Sequence, residues 1–181
     1  AVGGTRPDKR ALRISDDGQL VVFESFAALD GSPGTTRQVF RWTPADGVRR
    51  ISRDEAGSAP THPAGIGNFS ALLPAIPPYN TYPRIAPSNT FRQRPSLGRV
   101  IAEDGRIFFE TQDQLVPEDV NDAIDVYEWH DGTLRLVTPG TQSDDALYHD
   151  NSADGRTVFF TTRSRLIPEL DRNAGSDLYA A

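Results

Sequence analysis

Asp104-Gly105-Arg106-Ile107-Phe108-Phe109-Glu110-Thr111 returns fifty residues later as Asp154-Gly155-Arg156-Thr157-Val158-Phe159-Phe160-Thr161. The correspondence continues downstream. Leu115-Val116-Pro117-Glu118 is followed by Leu166-Ile167-Pro168-Glu169, Asp119-Val120-Asn121 by Asp171-Arg172-Asn173, and Asp125-Val126-Tyr127 by Asp177-Leu178-Tyr179. Four landmarks in one order, with an offset that grows from 50 to 52, mark an internal repeat. A more diverged copy lies earlier. Asp17-Gly18 opens it, Val21-Val22-Phe23-Glu24-Ser25 is its apolar run, and Gln38-Val39-Phe40-Arg41-Trp42 matches Asp125-Val126-Tyr127-Glu128-Trp129. Gln38 stands where the later copies carry Asp.

Each copy reads as strands. Asp-Gly occurs at 17–18, 30–31, 46–47, 104–105, 131–132 and 154–155. It is a hairpin signal because Gly, and Asp more weakly, tolerates positive φ. In the middle copy this spacing predicts strands over 98–102, 106–111, 125–129 and 133–138. In the first copy it predicts 11–15, 19–25, 38–42 and 48–52. β-Branched and aromatic residues dominate these runs. The expected fold class is all-β, built of β-propeller blades, each a four-stranded antiparallel meander, forming part of an incomplete ring. The array 1–181 then divides into a blade at 10–53, a Pro-rich insertion at 54–97, a blade at 98–138 and a partial blade at 146–181. A ring needs at least four blades. With no Met in the chain, the expectation is a processed chain or a piece of a longer one.

Composition agrees with short strands and many turns. Apolar residues make up 37%, below the roughly 45–50% of average globular chains, and Gly and Pro number 15 and 14. Net charge is −6 and the pI is near 5.0. Without a basic stripe the chain has no footprint for phosphate backbones, so nucleic acid is excluded as a partner. The absence of Cys removes disulfides and thiolate metal sites. No run approaches the ~20 apolar residues of a membrane span.

Residues 54–97 interrupt the repeat and hold eight of the fourteen prolines, which disfavours central strands. Phe69, Tyr79, Tyr82, Arg84, Phe91 and Arg92 lie among them, and aromatic and Arg anchors suit a contact surface. Three readings stand: an excursion covering a sheet, a ligand-contacting loop, and a degenerate blade.

Candidate chemistry is sparse. Asp119, Asn121 and Asp125, and again Asp171, Asn173 and Asp177, place oxygen-bearing side chains on a short loop. Hard cations such as Ca²⁺ take oxygen ligands; the same residues also cap turns and start strands. His62, His130 and His149 lack metal-binding spacing, and G-x-S-x-G is absent. Trp42 and Trp129 occupy equivalent places, which points to packing between neighbouring blades; carbohydrate stacking is the alternative. No catalytic residue and no cofactor other than Ca²⁺ is indicated.

The Asp-Gly-Arg-x-x-Phe-Phe, Leu-Val-Pro-Glu-Asp-x-Asn and Asp-Val-Tyr elements resemble the TolB-type, WD-repeat-like β-propeller repeats of bacterial envelope and secreted proteins. The resemblance covers 98–181 well, 10–53 loosely and 54–97 not at all. It implies an extracytoplasmic, non-enzymatic platform that binds a protein or a glycan. Two alternatives remain open: a hydrolase or lyase with loop-borne catalytic groups on a full propeller, and a calcium-stiffened structural surface array.

Overall fold

A computed structural model describes residues 12–31, 36–66, 98–173 and 175–181. Within them every regular element is a strand, and the strands form three antiparallel sheets, none closed into a barrel. The first sheet is a meander of β1 (Leu12–Ile14), β2 (Val21–Ser25), β3 (Gln38–Thr43) and β4 (Gly47–Arg50). The second contains β5 (Ala64–Gly65), β6 (Ile107–Thr111), β7 (Asp125–His130) and β8 (Thr133–Leu136). The third contains β9 (Leu147–Asn151), β10 (Val158–Thr162) and β11 (Asp177–Ala180). No helix among these residues is long and apolar enough to cross a membrane.

The turns follow the local chemistry. All six Asp-Gly glycines sit at positive φ. At Asp131-Gly132 both residues do, with φ of 48° and 82°. That pair of conformations makes the tight turn whose twist matches the flanking strands β7 and β8.

One element departs from the sequence reading. The segment 54–97, read as an excursion covering a sheet, a ligand-contacting loop or a degenerate blade, supplies part of an edge strand: Ala64 pairs with Thr111 and Gly65 with Glu110. The predicted strand over 98–102 supplies only the other end of the same edge, where Ile101 bridges to Ile107 and the Phe108 amide donates to Val100. The first strand of the second sheet is therefore made of two pieces, separated in sequence by residues 67–97. The third sheet is irregular at the same place. Its β9 has a bulge where the register passes from Asp150 opposite Phe159 to Tyr148 opposite Phe160.

Register also sets the structural equivalence. Phe23 faces Phe40, Phe109 faces Tyr127 and Phe160 faces Tyr179. Each pair stacks, with ring centroids 5.8, 5.7 and 5.9 Å apart. Phe109 and Phe160 are thus equivalent at an offset of 51, because Thr157 adds one residue after the Asp154-Gly155 turn.

The core lies between the sheets. Side chains alternate across each strand, so Val22 and Val39 of the first sheet meet Ala64, Ile66, Ile107, Phe109 and Tyr127 of the second. Phe108 and Val126 on the second sheet's other face meet Ala146, Tyr148, Val158 and Phe160 of the third. Burying each such side chain contributes roughly 1.5–3 kcal/mol. Arg41 of the first sheet lies 4.7 Å from the Trp129 ring centre of the second, so Trp129 packs between neighbouring sheets as expected.

Polar groups cross these interfaces at repeated positions. The Ala64 amide donates to the Arg37 carbonyl (2.9 Å) and the Ala146 amide to the Ile124 carbonyl (2.8 Å). Two residues on, the Ile66 amide donates to Glu24 (2.8 Å) and the Tyr148 amide to Glu110 (2.9 Å). Glu24 also pairs with Arg37 at 3.2 Å. Ile124 occupies the position equivalent to Arg37 beside Glu110. Burial, with the like charge of Glu24 nearby, outweighs the Tyr148 amide and Arg37 and pushes the Glu110 carboxyl up to about 8.

The raised Glu110 value has a pH consequence. A carboxyl that holds its proton more tightly when folded contributes stability fully below about pH 4.5, and that stability is lost as pH rises through about 8. The melting temperature is expected to fall between pH 5 and 9, and Glu110→Gln should flatten the slope; an equal slope in the variant contradicts the assignment. At the returning end of the split strand, a Cβ on Gly98 would run into the His149 carbonyl and Asp150 Cα. Gly98→Ala should destabilise by about 1–3 kcal/mol or more in urea denaturation, and a neutral result would mean the split strand can shift.

Candidate functional site

Between the first and second sheets the connection from β4 to β5 crosses the loop that follows β6, and a polar constellation forms there. Asp113 accepts from the backbone amides of Thr61 (3.1 Å) and His62 (2.9 Å) and from the Thr61 hydroxyl. Its Oδ1 also lies 3.1 Å from His62 Nδ1. A carboxylate with this many donors orients the imidazole and leaves Nε2 as the ring nitrogen open to a ligand. The adjoining cleft encloses about 360 Å³, lined among others by Ser52, Arg53, Asp54, Gln112, Gln114 and Asp122. Gln112 and Gln114 donate their amide N–H groups to the Asp122 and Asn121 carbonyls, at 2.7 and 2.6 Å.

A second cleft of about 670 Å³ shares Arg53, Asp54 and Leu115 with the first. Its wall adds Ile51, Val116, Trp129 and Leu134 together with Arg50, Glu55 and Glu118, so both clefts are lined by polar and apolar side chains. Such a pair can hold a ligand that has both hydroxyl or amide groups and an apolar face.

The spacing of His62 in the sequence indicates no metal site. His62 remains partly exposed, but its tie to Asp113 spans 51 residues and left no local signal. The position does have a counterpart. In the third sheet the Asp144 amide donates to Ser164 Oγ (3.0 Å), and Ser164 Oγ donates to the Asp144 carboxylate (3.0 Å). The backbone tie is thus a repeated feature, while the imidazole belongs to the second sheet alone. His130 and His149 lie elsewhere: His130 Nε2 is 3.2 Å from the Asp104 carbonyl, and His149 Nε2 is 3.0 Å from Thr161 Oγ1.

The six Asp and Asn residues considered for calcium are each placed in local hydrogen bonds. Asp119 accepts from the Tyr127 hydroxyl, and Asp171 accepts from the Tyr179 hydroxyl at 2.8 Å. Each tyrosine oxygen in turn accepts a loop amide, from Leu115 (3.2 Å) and Leu166 (3.4 Å). Asn121 accepts from the Ala123 amide and Asn173 from the Gly175 amide. Asn173 Nδ2 reaches Asp177 at 3.5 Å.

Asp125 is wholly buried and accepts from the Thr138 hydroxyl and the Gln142 amide. One oxygen each of Asp119 and Asp125 is buried without a hydrogen-bond partner. Burial raises the Asp119 pKa, which favours the uncharged acid. Among the described residues no three His, Cys, Asp or Glu side chains are placed to hold a metal ion. Phe69, Tyr79, Tyr82, Arg84, Phe91 and Arg92, expected to form a binding loop, lie outside the described residues.

The departure at Gln38 is resolved by the same comparison. Thr138 Oγ1 donates to Asp125 and accepts the Val126 amide at 3.2 Å. In the first sheet Ser52 Oγ donates to Gln38 Oε1 (2.7 Å) and accepts the Val39 amide (3.0 Å). Gln keeps the oxygen acceptor that Asp supplies, so the substitution preserves the tie between strand three and the chain after strand four.

Comparison with protein-family models, curated proteins and solved structures finds no match to this chain. Thr138→Val should cost about 1–3 kcal/mol in denaturant melts, because it leaves the buried Val126 amide without its acceptor and takes one of two donors from the Asp125 carboxylate. His62→Ala, at a half-exposed site, should cost less than about 1 kcal/mol; the reverse order would relocate the structural tie to the histidine.

Proposed function

We propose that the chain is a segment of a β-propeller working outside the cytoplasm as a non-enzymatic platform that binds a protein or a glycan. The observation that carries this reading is the edge strand of the second sheet, built from two pieces distant in sequence, Ala64–Gly65 and the bridge at Ile101, with Ile66 and Val100 beside them buried. Long connections between scaffold elements are where recognition residues concentrate. The sequence between the two pieces carries Phe69, Tyr79, Tyr82, Arg84, Phe91 and Arg92, residue types that dominate interface energetics. The adjoining clefts between the first two sheets, each of mixed polar and apolar lining, add a second surface able to take hydroxyl or amide groups.

Support for the propeller comes from periodicity. The same amide-to-carbonyl and amide-to-carboxyl links join the first sheet to the second and the second to the third. Successive sheets stacked by one recurring interface are the construction principle of propellers. The enzyme reading draws on the His62–Asp113 pair. The third sheet makes the same backbone tie with Ser164 and Asp144, which speaks for architecture over catalysis at that position.

Replacing residues 69–96 with a short Gly-Ser linker tests the platform reading. It spares Ala64–Ile66, which a longer deletion would remove from the sheet. The β-sheet circular dichroism and melting temperature should persist. Binding to immobilised cell-envelope protein and to a glycan array should be lost. Undiminished binding by the folded deletion variant contradicts the assignment.

A further inference from the structure

Between the first and second sheets, at the end where the Asp-Gly turns lie, the chain departs twice from its own repeat. Both departures meet at one cleft. The stacked pairs Phe23–Phe40, Phe109–Tyr127 and Phe160–Tyr179 align the sheets, so Arg41 corresponds to Glu128 and Trp129 to Ala181. The first interface places the Arg41 guanidinium 4.7 Å from the Trp129 ring centre. The equivalent positions at the second interface hold Glu128 and Ala181, and Glu128 pairs with Arg106 of its own sheet at 3.1 Å.

The turn between β3 and β4 is the other departure. Trp42 lies opposite Val48, six residues on, whereas Trp129 lies opposite Leu134, five residues on. The longer turn carries Asp46, whose carboxylate meets Arg41 at 2.7 Å. Arg41, Asp46 and Trp129 line a cleft of about 770 Å³, and Gln19, Thr43 and Asp131 add to its wall. That volume lies within the roughly 300–1,000 Å³ of small-molecule sites.

We propose that this cleft is a subsite for a neutral sugar ring, with Trp129 as its platform. The proposal rests on the glycan half of the reading above and gives that half residues of its own. A pyranose has an apolar C–H face and a rim of hydroxyls that both donate and accept. The indole offers a flat apolar surface and is only partly buried against the core of the first interface. Gln19, Thr43 and Asp46 offer groups that hydrogen-bond hydroxyls.

Charge selects the class of sugar. Arg41 is paired with Asp46 and holds that carboxyl below its usual range. With Asp131 added, the lining carries one more negative charge than positive, which disfavours a carboxylate or sulfate sugar. The Asp46 tie also fixes the guanidinium over the indole before any ligand arrives, and such preorganisation lowers the cost of binding. The backbone tie at His62 and Asp113 recurs in the third sheet. The Arg41–Trp129 pair and the longer turn do not recur, and the second and third sheets stack without them.

One ring on one indole binds weakly, with a Kd on the order of 1 mM, and is washed from an array, so the site is read in solution. In protein labelled with fluorotryptophan, the fluorine resonance that Trp129→Phe removes belongs to Trp129. The probes are glucose, mannose and N-acetylglucosamine tetramers, with a galacturonate tetramer as the acidic counterpart. A neutral tetramer should shift the Trp129 resonance saturably, and the galacturonate tetramer should bind at least about fivefold more weakly. Asp46→Ala, at an exposed turn position, should keep the β-sheet circular dichroism and weaken neutral binding about tenfold. The chain with residues 69–96 replaced should titrate as the intact one does. No shift with any neutral tetramer, tighter binding of galacturonate, an Asp46→Ala titration equal to that of the parent, or loss of response on loop replacement overturns the proposal. Failure of the platform reading is distinguishable, since it is read from capture by the loop-replaced chain and leaves the Trp129 titration in place.

Discussion

Between each pair of successive sheets, a carboxyl on strand two reaches a backbone amide on the first strand of the next sheet: Glu24 takes Ile66, and Glu110 takes Tyr148. Those amides belong to edge strands facing an apolar layer. Leaving one unsatisfied there costs about 1–3 kcal/mol. The link also fixes how far one sheet slides along the other, because Ala64 and Ala146, two residues earlier, donate to the previous sheet's backbone at matching places. Everything between the sheets depends on that alignment, including the Phe108–Tyr148 stack at 5.9 Å. The two links are not chemically identical. Arg37 pairs directly with Glu24, whereas burial holds Glu110 towards its uncharged form.

Inside each sheet a second set of ties holds the loops to the strands. The tyrosine of strand three spans its own loop through the Asp119 or Asp171 carboxyl and a leucine amide. The first sheet has Phe40 at this place and keeps only the ring stack. The hydroxyl of Ser52 or Thr138 joins strand three to the chain leaving strand four. These ties account for most of the Asp and Asn residues whose spacing suggests a cation loop. Backbone capping and cation binding ask for the same short oxygen-bearing side chains, so spacing by itself does not separate them.

The edge strand of the second sheet is where the repeat is interrupted. A strand interrupted by residues 67–97 survives because each piece pairs independently with β6 and because Gly98 lets the returning chain lie directly on the bulge of β9. An insertion at a sheet edge breaks no hydrogen bonds on its far side, whereas the same insertion in β6 or β7 would sever pairings with two neighbours. The edge is thus the position at which the repeat tolerates the longest departure from its pattern.

What the sequence by itself determined is local. Asp-Gly pairs set the turns, alternating β-branched and aromatic runs set strands two to four, and the repeated landmarks set the unit, each through interactions within a few residues or between adjacent strands. The tertiary structure decided what depends on distant partners. Ala64–Gly65 is too short to show any alternation and is a strand only because Glu110 and Thr111 lie beside it. The equivalence of Glu24 and Glu110 was hidden because Glu24 lies seven residues after Asp17 but Glu110 six after Asp104, and because Thr161 replaces them in the third copy. His62 and Asp113 meet only when a connection between sheets folds across a loop. Periodicity along a chain records which face a residue presents, but not what is brought against that face, and that second fact arises only when the sheets stack.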